Sequence, residues 1–240
     1  MRDEIERTAL GIEGIDDMVK DDGIPKNDTV AVVGSEGSGK TTMALEYIPH
    51  GLKKGQNCVF ISLEKETKQK LIQSAENREM EFHKHMEEGS LKVLDLNPYH
   101  LASSISNIRS QLPKMVENFG ADRMAIDSIT RLEDALYKNE RTKIHRMIES
   151  INRSGASALI TSESDPHGRI TSRSRYIEYV VNGVIYLQKV ETTRGVDLTL
   201  WISKLRETNH TRDKKLYELT SKGIEVLDTE LGVSKPEDTP

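Results

Sequence analysis

The sequence Gly34-Ser-Glu-Gly-Ser-Gly-Lys40-Thr41-Thr42 decides the fold of this chain. It fits the phosphate-loop pattern G-x-x-x-x-G-K-[ST]. An apolar run at residues 29–33 precedes it, and a helical stretch at 43–52 follows it. A strand, a glycine-rich loop and a helix in that order bring backbone N–H groups and the positive end of the helix dipole to one point. The sequence therefore predicts a site for the phosphates of a nucleoside triphosphate.

The positions of this phosphate loop (residues 34–42) have different predicted roles. Its glycines permit backbone dihedrals that are closed to other residues, so successive amides converge on one anion. Lys40 supplies a charge for the β- and γ-phosphates, and the Thr41 hydroxyl is a ligand for Mg²⁺. ATP and Mg²⁺ are the predicted cofactors. The predicted nucleotide-binding residues of the loop are Gly34, Ser35, Glu36, Gly37, Ser38, Gly39, Lys40, Thr41 and Thr42.

The composition is that of a soluble globular protein. Of the 240 residues, 30% are charged and 35% are apolar, and no apolar run approaches the ~20 residues that span a bilayer. The charged start at residues 1–7 does not resemble a signal peptide, and the single cysteine, Cys58, excludes an internal disulfide. We therefore expect a cytoplasmic protein without membrane contact. The net charge of −5 argues against a broad basic surface and leaves a local basic patch open.

Apolar strand patterns alternate with helical patterns along most of the chain. This predicts an α/β fold with a mostly parallel sheet covered on both faces. The pattern changes after Asn182, where three further strands predict an antiparallel extension. We expect one domain over 1–227 and a disordered acidic tail over 228–240. The predicted strands are 29–33, 58–63, 91–96, 124–127, 158–161, 184–190, 198–203 and 216–219, and the predicted helices are 43–53, 68–87, 101–118 and 143–154.

Two of these strands end in a carboxylate at the predicted phosphate-loop edge of the sheet. The run that ends at Asp127 predicts a partner for Mg²⁺, because a strand-end carboxylate beside a phosphate loop can hold the metal. The run that ends at Glu64 offers a group that can polarise the attacking water. The residues alone leave a second interpretation of Glu64, a solvated glutamate that opens a charged helix.

The order of phosphate loop, strand-end Glu and strand-end Asp resembles the RecA superfamily of ATPases, and within it the single-domain KaiC-like proteins. The opening Leu10-Gly-Ile-Glu-Gly14-Ile-Asp-Asp17 and the segment Lys204-Leu-Arg206-Glu-Thr208-Asn-His210 are similar to the family motifs T-G-I-x-G-L-D and K-L-R-G-T-x-H. The likeness extends from about residue 10 to residue 227. It implies a RecA-like P-loop domain and favours Glu64 as the catalytic base.

The resemblance also implies an assembly. Lys204 and Arg206 would reach the γ-phosphate of a neighbouring subunit, and Thr208 and His210 would help to hold that nucleotide. A homo-oligomer follows, either a ring, which we expect to be a hexamer, or a filament. The chain departs from the family at several positions: Lys65 stands where a second glutamate is frequent, Glu207 replaces a glycine, Gly23 stands alone where several glycines are usual, and Glu178-Tyr179 occupy the place of a Ser-Thr phosphorylation pair. A clock or autokinase role is therefore not expected.

The loop over residues 163–176 is the part of the sequence that leaves most alternatives open. Arg169, Arg173 and Arg175 recur there with no acidic residue between them, which fits a flexible strip for single-stranded DNA. A solvated loop between subunits, with its arginines paired across the interface, fits better, because only Tyr176 adds an aromatic residue on which bases could stack. Glu163 falls where recombinases sense the γ-phosphate.

Our interpretation is a Mg-dependent ATPase, slow and regulatory, whose sites lie between subunits. Two alternatives remain at this point: a recombinase relative that binds single-stranded DNA, and a module whose nucleotide state recruits a regulatory protein partner with little hydrolysis. A small-molecule kinase is less consistent with the sequence, because no arginine-rich lid segment is present beyond the one loop.

Overall fold

The computed structural model describes residues 5–64, 68–103, 112–136, 142–165, 167, 170–173, 175–193 and 195–230. The strands are β1 (Arg7–Thr8), β2 (Ile24–Pro25), β3 (Thr29–Gly34), β4 (Cys58–Ser62), β5 (Leu91–Asp95), β6 (Arg123–Asp127), β7 (Ser157–Glu163), β8 (Gly183–Thr192), β9 (Gly195–Leu205), β10 (Lys215–Leu219) and β11 (Ile224–Glu230). The helices are α1 (Lys40–Lys53), α2 (Lys68–Glu76), α3 (Phe82–Glu87), α4 (Pro98–Ser103), α5 (Leu112–Phe119), α6 (Ile129–Ala135), α7 (Thr142–Arg153) and α8 (Ile177–Val180).

One nine-stranded sheet organises the domain, in the order β11-β10-β9-β8-β3-β7-β6-β4-β5. The six strands from β8 to β5 in this order are parallel, and β9, β10 and β11 continue the sheet in antiparallel fashion. The predicted fold class, a mostly parallel sheet flanked by helices with an antiparallel C-terminal extension, is confirmed.

Each face of the sheet carries its own apolar core. Side chains of successive strand residues point to opposite faces, so Val32 and Val33 of β3 belong to different cores although both are fully buried. Val32 packs in the core that contains α1, α2 and α3, and Val33 in the core that contains α6 and α7. Burial on both faces explains why β3, β4 and β6 are almost continuously apolar.

Two of the predicted helices differ from the structure. The predicted helix over 68–87 is wrong as a single element, because α2 ends at Glu76 and α3 begins at Phe82. Glu79 and Glu81 between them adopt positive φ angles of 60° and 51°, which an α-helix does not tolerate. The predicted helix over 101–118 corresponds to α4 and α5, and residues 104–111 lie outside the described residues.

The carboxyl end of the domain contains a strand that the sequence did not predict. Strand β11 pairs antiparallel with β10 and extends to Glu230, opposite Lys215. Residues 228–230 therefore belong to β11 and not to the predicted tail: Leu227 pairs with Leu216 and Glu230 pairs with Lys215, with a register shift between the two pairs. Residues 231–240 lie outside the described residues.

A buried arginine of β6 connects the amino-terminal segment to the sheet through hydrogen bonds. Arg123 of β6 is fully buried, and its Nη1 atom donates to the carbonyl oxygens of Leu10 and Tyr47 at 2.9 and 3.0 Å. Its Nη2 atom donates to Ala9 O at 2.7 Å and to Thr8 Oγ1 at 3.1 Å. The guanidinium also lies 4.2 Å from the centre of the Tyr47 ring, a cation–π contact.

We expect Arg123→Met to lower the free energy of unfolding by about 3 kcal/mol, because several buried carbonyl oxygens lose their donor at once. The midpoint of urea unfolding measures this. Arg153→Met is the matched control: Arg153 is 77% exposed and its ion pair with Glu149 at 3.5 Å lies on the surface, so we expect a change within about 0.5 kcal/mol. Equal midpoints for the two variants would contradict the structural role of Arg123.

Within the described ranges, none of the helices is long and apolar enough to cross a bilayer.

Candidate nucleotide-binding site

The phosphate loop connects β3 to α1 at the carboxyl edge of the parallel strands. Gly37 and Gly39 have φ angles of 68° and 91°, in the left-handed region that favours glycine. A Cβ atom on Gly39 would lie 2.6 Å from a Leu219 methyl group, and one on Gly34 would lie 2.4 Å from Ser38 Oγ. The left-handed backbone therefore favours glycine at positions 37 and 39, and close packing against Ser38 disfavours a side chain at position 34. The loop leaves a cradle of N–H groups at the start of α1 that suits phosphate oxygens.

Lys40 lies within the loop that its charge would serve. Its Nζ atom donates to Ser35 O at 2.8 Å, and Ser38 Oγ donates to the same oxygen at 2.8 Å. Burial lowers the pKa of Lys40, and the charges of Glu163 and Asp127 oppose this shift. The loop is also held from outside, because the Tyr217 hydroxyl of β10 donates to Ser38 O. Tyr217 could not be identified from the sequence, because its strand lies far from the loop along the chain.

Asp127 lies at the centre of a buried hydrogen-bonded group. Thr41 Oγ1 donates to Asp127 Oδ2 at 2.8 Å, and the Thr161 hydroxyl donates to Oδ1. Burial raises the pKa of Asp127, and the two hydroxyl hydrogen bonds oppose that shift. The structure thus brings together Thr41 and Asp127, the two predicted metal-binding residues. The sequence did not identify Thr161 as a site residue. Its position at the end of the predicted strand over 158–161 is the one feature that could have indicated it.

The Thr41 hydroxyl and the Asp127 carboxylate fit Mg²⁺ by the chemistry of their donor atoms. Mg²⁺ prefers oxygen ligands, and it is usually bound by one or two protein groups together with substrate phosphates. Among the described residues, no group of three or more His, Cys, Asp or Glu side chains could hold a metal by itself. The donor set therefore suits a metal that arrives with a nucleotide.

Glu64 lies at the same sheet edge as Asp127. Strand β4 pairs with β6 so that Ser62 is level with Asp127, and Leu63 N donates to Asp127 O at 2.7 Å. The Glu64 carboxylate accepts hydrogen bonds from Ser128 Oγ and Arg131 Nε, both at 2.8 Å. The sequence pointed to Glu64 but did not identify Ser128 and Arg131 as its hydrogen-bond partners.

The arginines of the loop after β7 are paired within the chain. Arg173 Nη1 lies 3.3 Å from Asp134 Oδ2 and 3.4 Å from Glu163 Oε2. Arg175 Nη2 lies 3.4 Å from Asp165 Oδ2. Arg169, the third arginine of the predicted strip, lies outside the described residues. Two of the three arginines thus already face carboxylates.

Lys204 and Arg206, the cation pair, lie at the opposite edge of the sheet from the phosphate loop. Arg206 N donates to Asn182 O, and Asn182 N donates to Thr29 O, so Arg206 is level with the first residue of β3. The phosphate loop begins at the last residue of that strand, Gly34. Five residues at about 3.3 Å each separate the two levels by about 16 Å.

Both cations contact the backbone of α8. Lys204 Nζ donates to the carbonyl oxygens of Glu178 and Val181, both at 2.7 Å, and Arg206 Nη2 donates to Tyr179 O at 3.3 Å. Burial, together with the charge of Arg206, lowers the pKa of Lys204. The two side chains therefore share one face, as expected for residues two apart along an extended chain.

Thr208 and His210 follow the cation pair at the same edge. Thr208 Oγ1 accepts a hydrogen bond from Arg7 Nη1 at 3.0 Å, and a hydrogen bond of 2.7 Å joins His210 Nδ1 and Thr211 O. Glu207, which replaces the glycine of the family motif, has a φ angle of 53°. The backbone thus keeps a conformation that favours glycine although the side chain has changed. Arg7 Nη2 holds this turn by donating to Glu207 O at 2.6 Å.

Comparison with known proteins relates the chain to one family. The family model described as "ATPase: KaiC" matches residues 8–230. The chain is 29% identical over 235 residues to the circadian clock oscillator protein KaiC of Prochlorococcus marinus subsp. pastoris, covering 93% of this chain and 45% of that protein. It is 27% identical to the UPF0273 protein MK0039 of Methanopyrus kandleri, covering 92% of each chain.

A solved structure agrees with these relationships. The KaiC-like protein PH0186 of Pyrococcus horikoshii OT3 matches with a TM-score of 0.82 and 28% identity, over 93% of this chain and all of that one. The chain spans less than half the length of the KaiC proteins that it matches, and nearly the full length of the two single-domain relatives.

Proposed function

Because this chain belongs to the KaiC family of ATPases, we propose that it binds Mg·ATP and hydrolyses it slowly at sites completed by a neighbouring copy of the chain. The observation that carries the proposal is the position of the cation pair. Lys204 and Arg206 lie about 16 Å below the level at which the phosphate loop begins. They are therefore too far to neutralise a γ-phosphate in their own subunit, and a neighbour's nucleotide is the better target.

Binding rests on the residues at the phosphate-loop edge. The loop amides and Lys40 hold the phosphates, and Thr41 with Asp127 holds Mg²⁺. The metal ion, when bound, neutralises charge on the phosphate oxygens. Thr161 keeps the Asp127 carboxylate aimed at the loop through its buried hydroxyl.

Catalysis rests on a carboxylate and two cations. Glu64 accepts a hydrogen bond from the attacking water and orients it toward the γ-phosphate. Lys204 and Arg206 of the neighbouring copy stabilise the charge that develops in the transition state, while Thr208 and His210 hold the same nucleotide. Lys65 in place of a second glutamate supports a slow turnover.

A contact in which one edge of a subunit meets the opposite edge of the next is head-to-tail. Such contacts close into rings or continue as filaments, and we propose a ring of six copies in the cytoplasm. The partner that we propose for a slow ATPase is a regulatory protein that binds the ring in one nucleotide state and not in the other.

Two measurements on the full chain test this proposal. Phosphate release from ATP is compared in Mg²⁺ and in excess chelator, and particle mass is measured with and without ATP over a range of protein concentrations. We expect hydrolysis in Mg²⁺ alone and a larger particle with ATP. Tight ATP binding without phosphate release would favour the nucleotide-switched binding module instead.

Single-stranded DNA gives a third test. We expect no measurable binding of single-stranded oligonucleotides at low salt, because Arg173 and Arg175 are paired with carboxylates of their own chain. Fluorescence anisotropy of a labelled oligonucleotide measures this, and a duplex of the same sequence is the control. Binding would revive the recombinase alternative if replacing Arg169, Arg173 and Arg175 by Ala reduced the salt slope by about 0.7 per arginine.

A further inference from the structure

Arg131 of α6 is the residue whose contact with the predicted catalytic base has no assigned purpose. Its Nε atom donates to Glu64 Oε2 at 2.8 Å, and the side chains are 36% and 24% exposed. The other carboxylate oxygen, Oε1, accepts from Ser128 Oγ at 2.8 Å. Hydrogen bonding to Glu64 raises the pKa of Arg131.

Two donors on two different oxygens fix a carboxylate more completely than one donor does. A single hydrogen bond leaves the group free to rotate about the bonded oxygen, whereas the second stops this rotation. The guanidinium is planar and its N–H directions are fixed, so it imposes a direction as well as a distance. Each carboxylate oxygen still has a second lone pair, so Glu64 can accept a hydrogen bond from water without losing either anchor.

The electrostatic surroundings point to the same pairing. Glu64 interacts electrostatically with Lys40 of α1 and Asp127 of β6, and Arg131 interacts electrostatically with Glu163 and Asp134 as well as with Glu64. Glu64 is nevertheless the carboxylate that receives the Arg131 Nε hydrogen bond. The arginine thus contacts the one carboxylate of this edge to which we assign the water.

We propose that Arg131 is the positioning residue for Glu64: it holds the carboxylate in the orientation that directs the attacking water. This proposal rests on the proposed ATPase function. Arg131 itself touches no reacting atom in this scheme and acts through Glu64.

Removing the donor while keeping the stem of the side chain isolates this role. We expect Arg131→Met to lower kcat for ATP hydrolysis by about 10- to 100-fold, the scale for misplacing a positioned group, with KM for ATP unchanged. Arg131→Lys keeps the charge without the fixed Nε geometry, so its kcat should lie between that of Arg131→Met and that of the wild type. Millimolar guanidinium chloride should restore part of the activity of Arg131→Met, and sodium chloride at equal ionic strength should not.

A double-variant cycle distinguishes positioning from a general structural effect. If Arg131 acts through Glu64, the variant that combines Glu64→Gln with Arg131→Met should be no slower than Glu64→Gln alone. Arg153→Met, distant on the surface of α7, is the control and should retain wild-type kcat. Urea unfolding midpoints for all variants report whether any loss of activity is a loss of fold.

The outcomes separate the two proposals. Wild-type kcat in Arg131→Met, or a double variant in which the two losses multiply, would overturn the role of Arg131 while leaving the ATPase proposal intact. A faster Arg131→Met would overturn it as well, since the contact would then restrain Glu64 instead of aiming it. A wild-type chain that hydrolyses no ATP under any assembly state would overturn both.

Discussion

Replacing Arg206 by alanine is expected to abolish ATP hydrolysis while leaving ATP bound. Arginines supplied by a neighbouring subunit contribute on the order of 10³–10⁵ in rate. Arg206 is exposed, and its Nη2 atom donates a hydrogen bond of 3.3 Å to Tyr179 O, so the fold should tolerate the change. Phosphate release measures hydrolysis, and a fluorescent ATP analogue measures binding. Arg212→Ala, an exposed arginine in the same connection after β9, is the matched control and should remain active.

Mixing two inactive variants tests whether Arg206 acts on a neighbour. Arg206→Ala retains an intact phosphate loop, and Lys40→Ala retains an intact cation pair. One complete site forms wherever the phosphate loop of an Arg206→Ala subunit meets the cation pair of a Lys40→Ala subunit. We therefore expect the mixture to regain activity that neither variant has alone, and wild-type specific activity to rise with protein concentration. Concentration-independent activity of a monomer, or no rescue in mixtures shown to co-assemble, would contradict the mechanism.

Replacing Glu64 by glutamine is expected to reduce hydrolysis by at least about 10²-fold, the scale for a positioned acid–base group. Glutamine keeps the shape of the side chain and its bond to Ser128, but its amide is a poor acceptor for the proton of the water. ATP affinity should be nearly unchanged, because Glu64 is not part of the phosphate cradle.

The readouts for this variant are single-turnover phosphate release and equilibrium ATP binding. Glu149→Gln, an equivalent change on the exposed side of α7, is the control and should retain full activity. Near-normal turnover in Glu64→Gln would remove the residue from the mechanism, and a parallel loss of ATP binding would assign it to binding instead.

Much of the fold could be predicted because its signals are local. The phosphate-loop pattern fixes β3 and α1, and burial on both faces makes the parallel strands apolar runs that are easy to recognise. The break between α2 and α3 could not be predicted from composition. Glu79 and Glu81 have good helix propensity, yet both adopt positive φ angles in the structure, so local propensity gives no indication of the break.

The site residues that lie within short sequence motifs could be predicted, and those that lie outside such motifs could not. The structure brings Thr41 and Asp127 into contact, as their motifs indicate, and places Glu64 at the same edge. Thr161 and Tyr217 could not be identified in this way, because each reaches the site from an element distant in sequence. Arg131 follows Asp127 by only four residues, but its contact with Glu64 joins positions 67 residues apart, which no local pattern indicates. Arg123 is the plainest case: a charged residue in a strand pattern gives no sign that four distant oxygens will surround it.

The separation of the phosphate loop and the cation pair onto opposite edges of one sheet bears on how mutations behave in a cell with two versions of the gene. If each site is completed by a neighbouring copy, as we propose, a copy that lacks Lys40 and Arg206 would damage two sites, its own and that of its neighbour. If half of the chains in randomly mixed head-to-tail assemblies carry this defect, only about one quarter of the sites are complete. Such an allele would be dominant, although the protein that it encodes still folds and assembles.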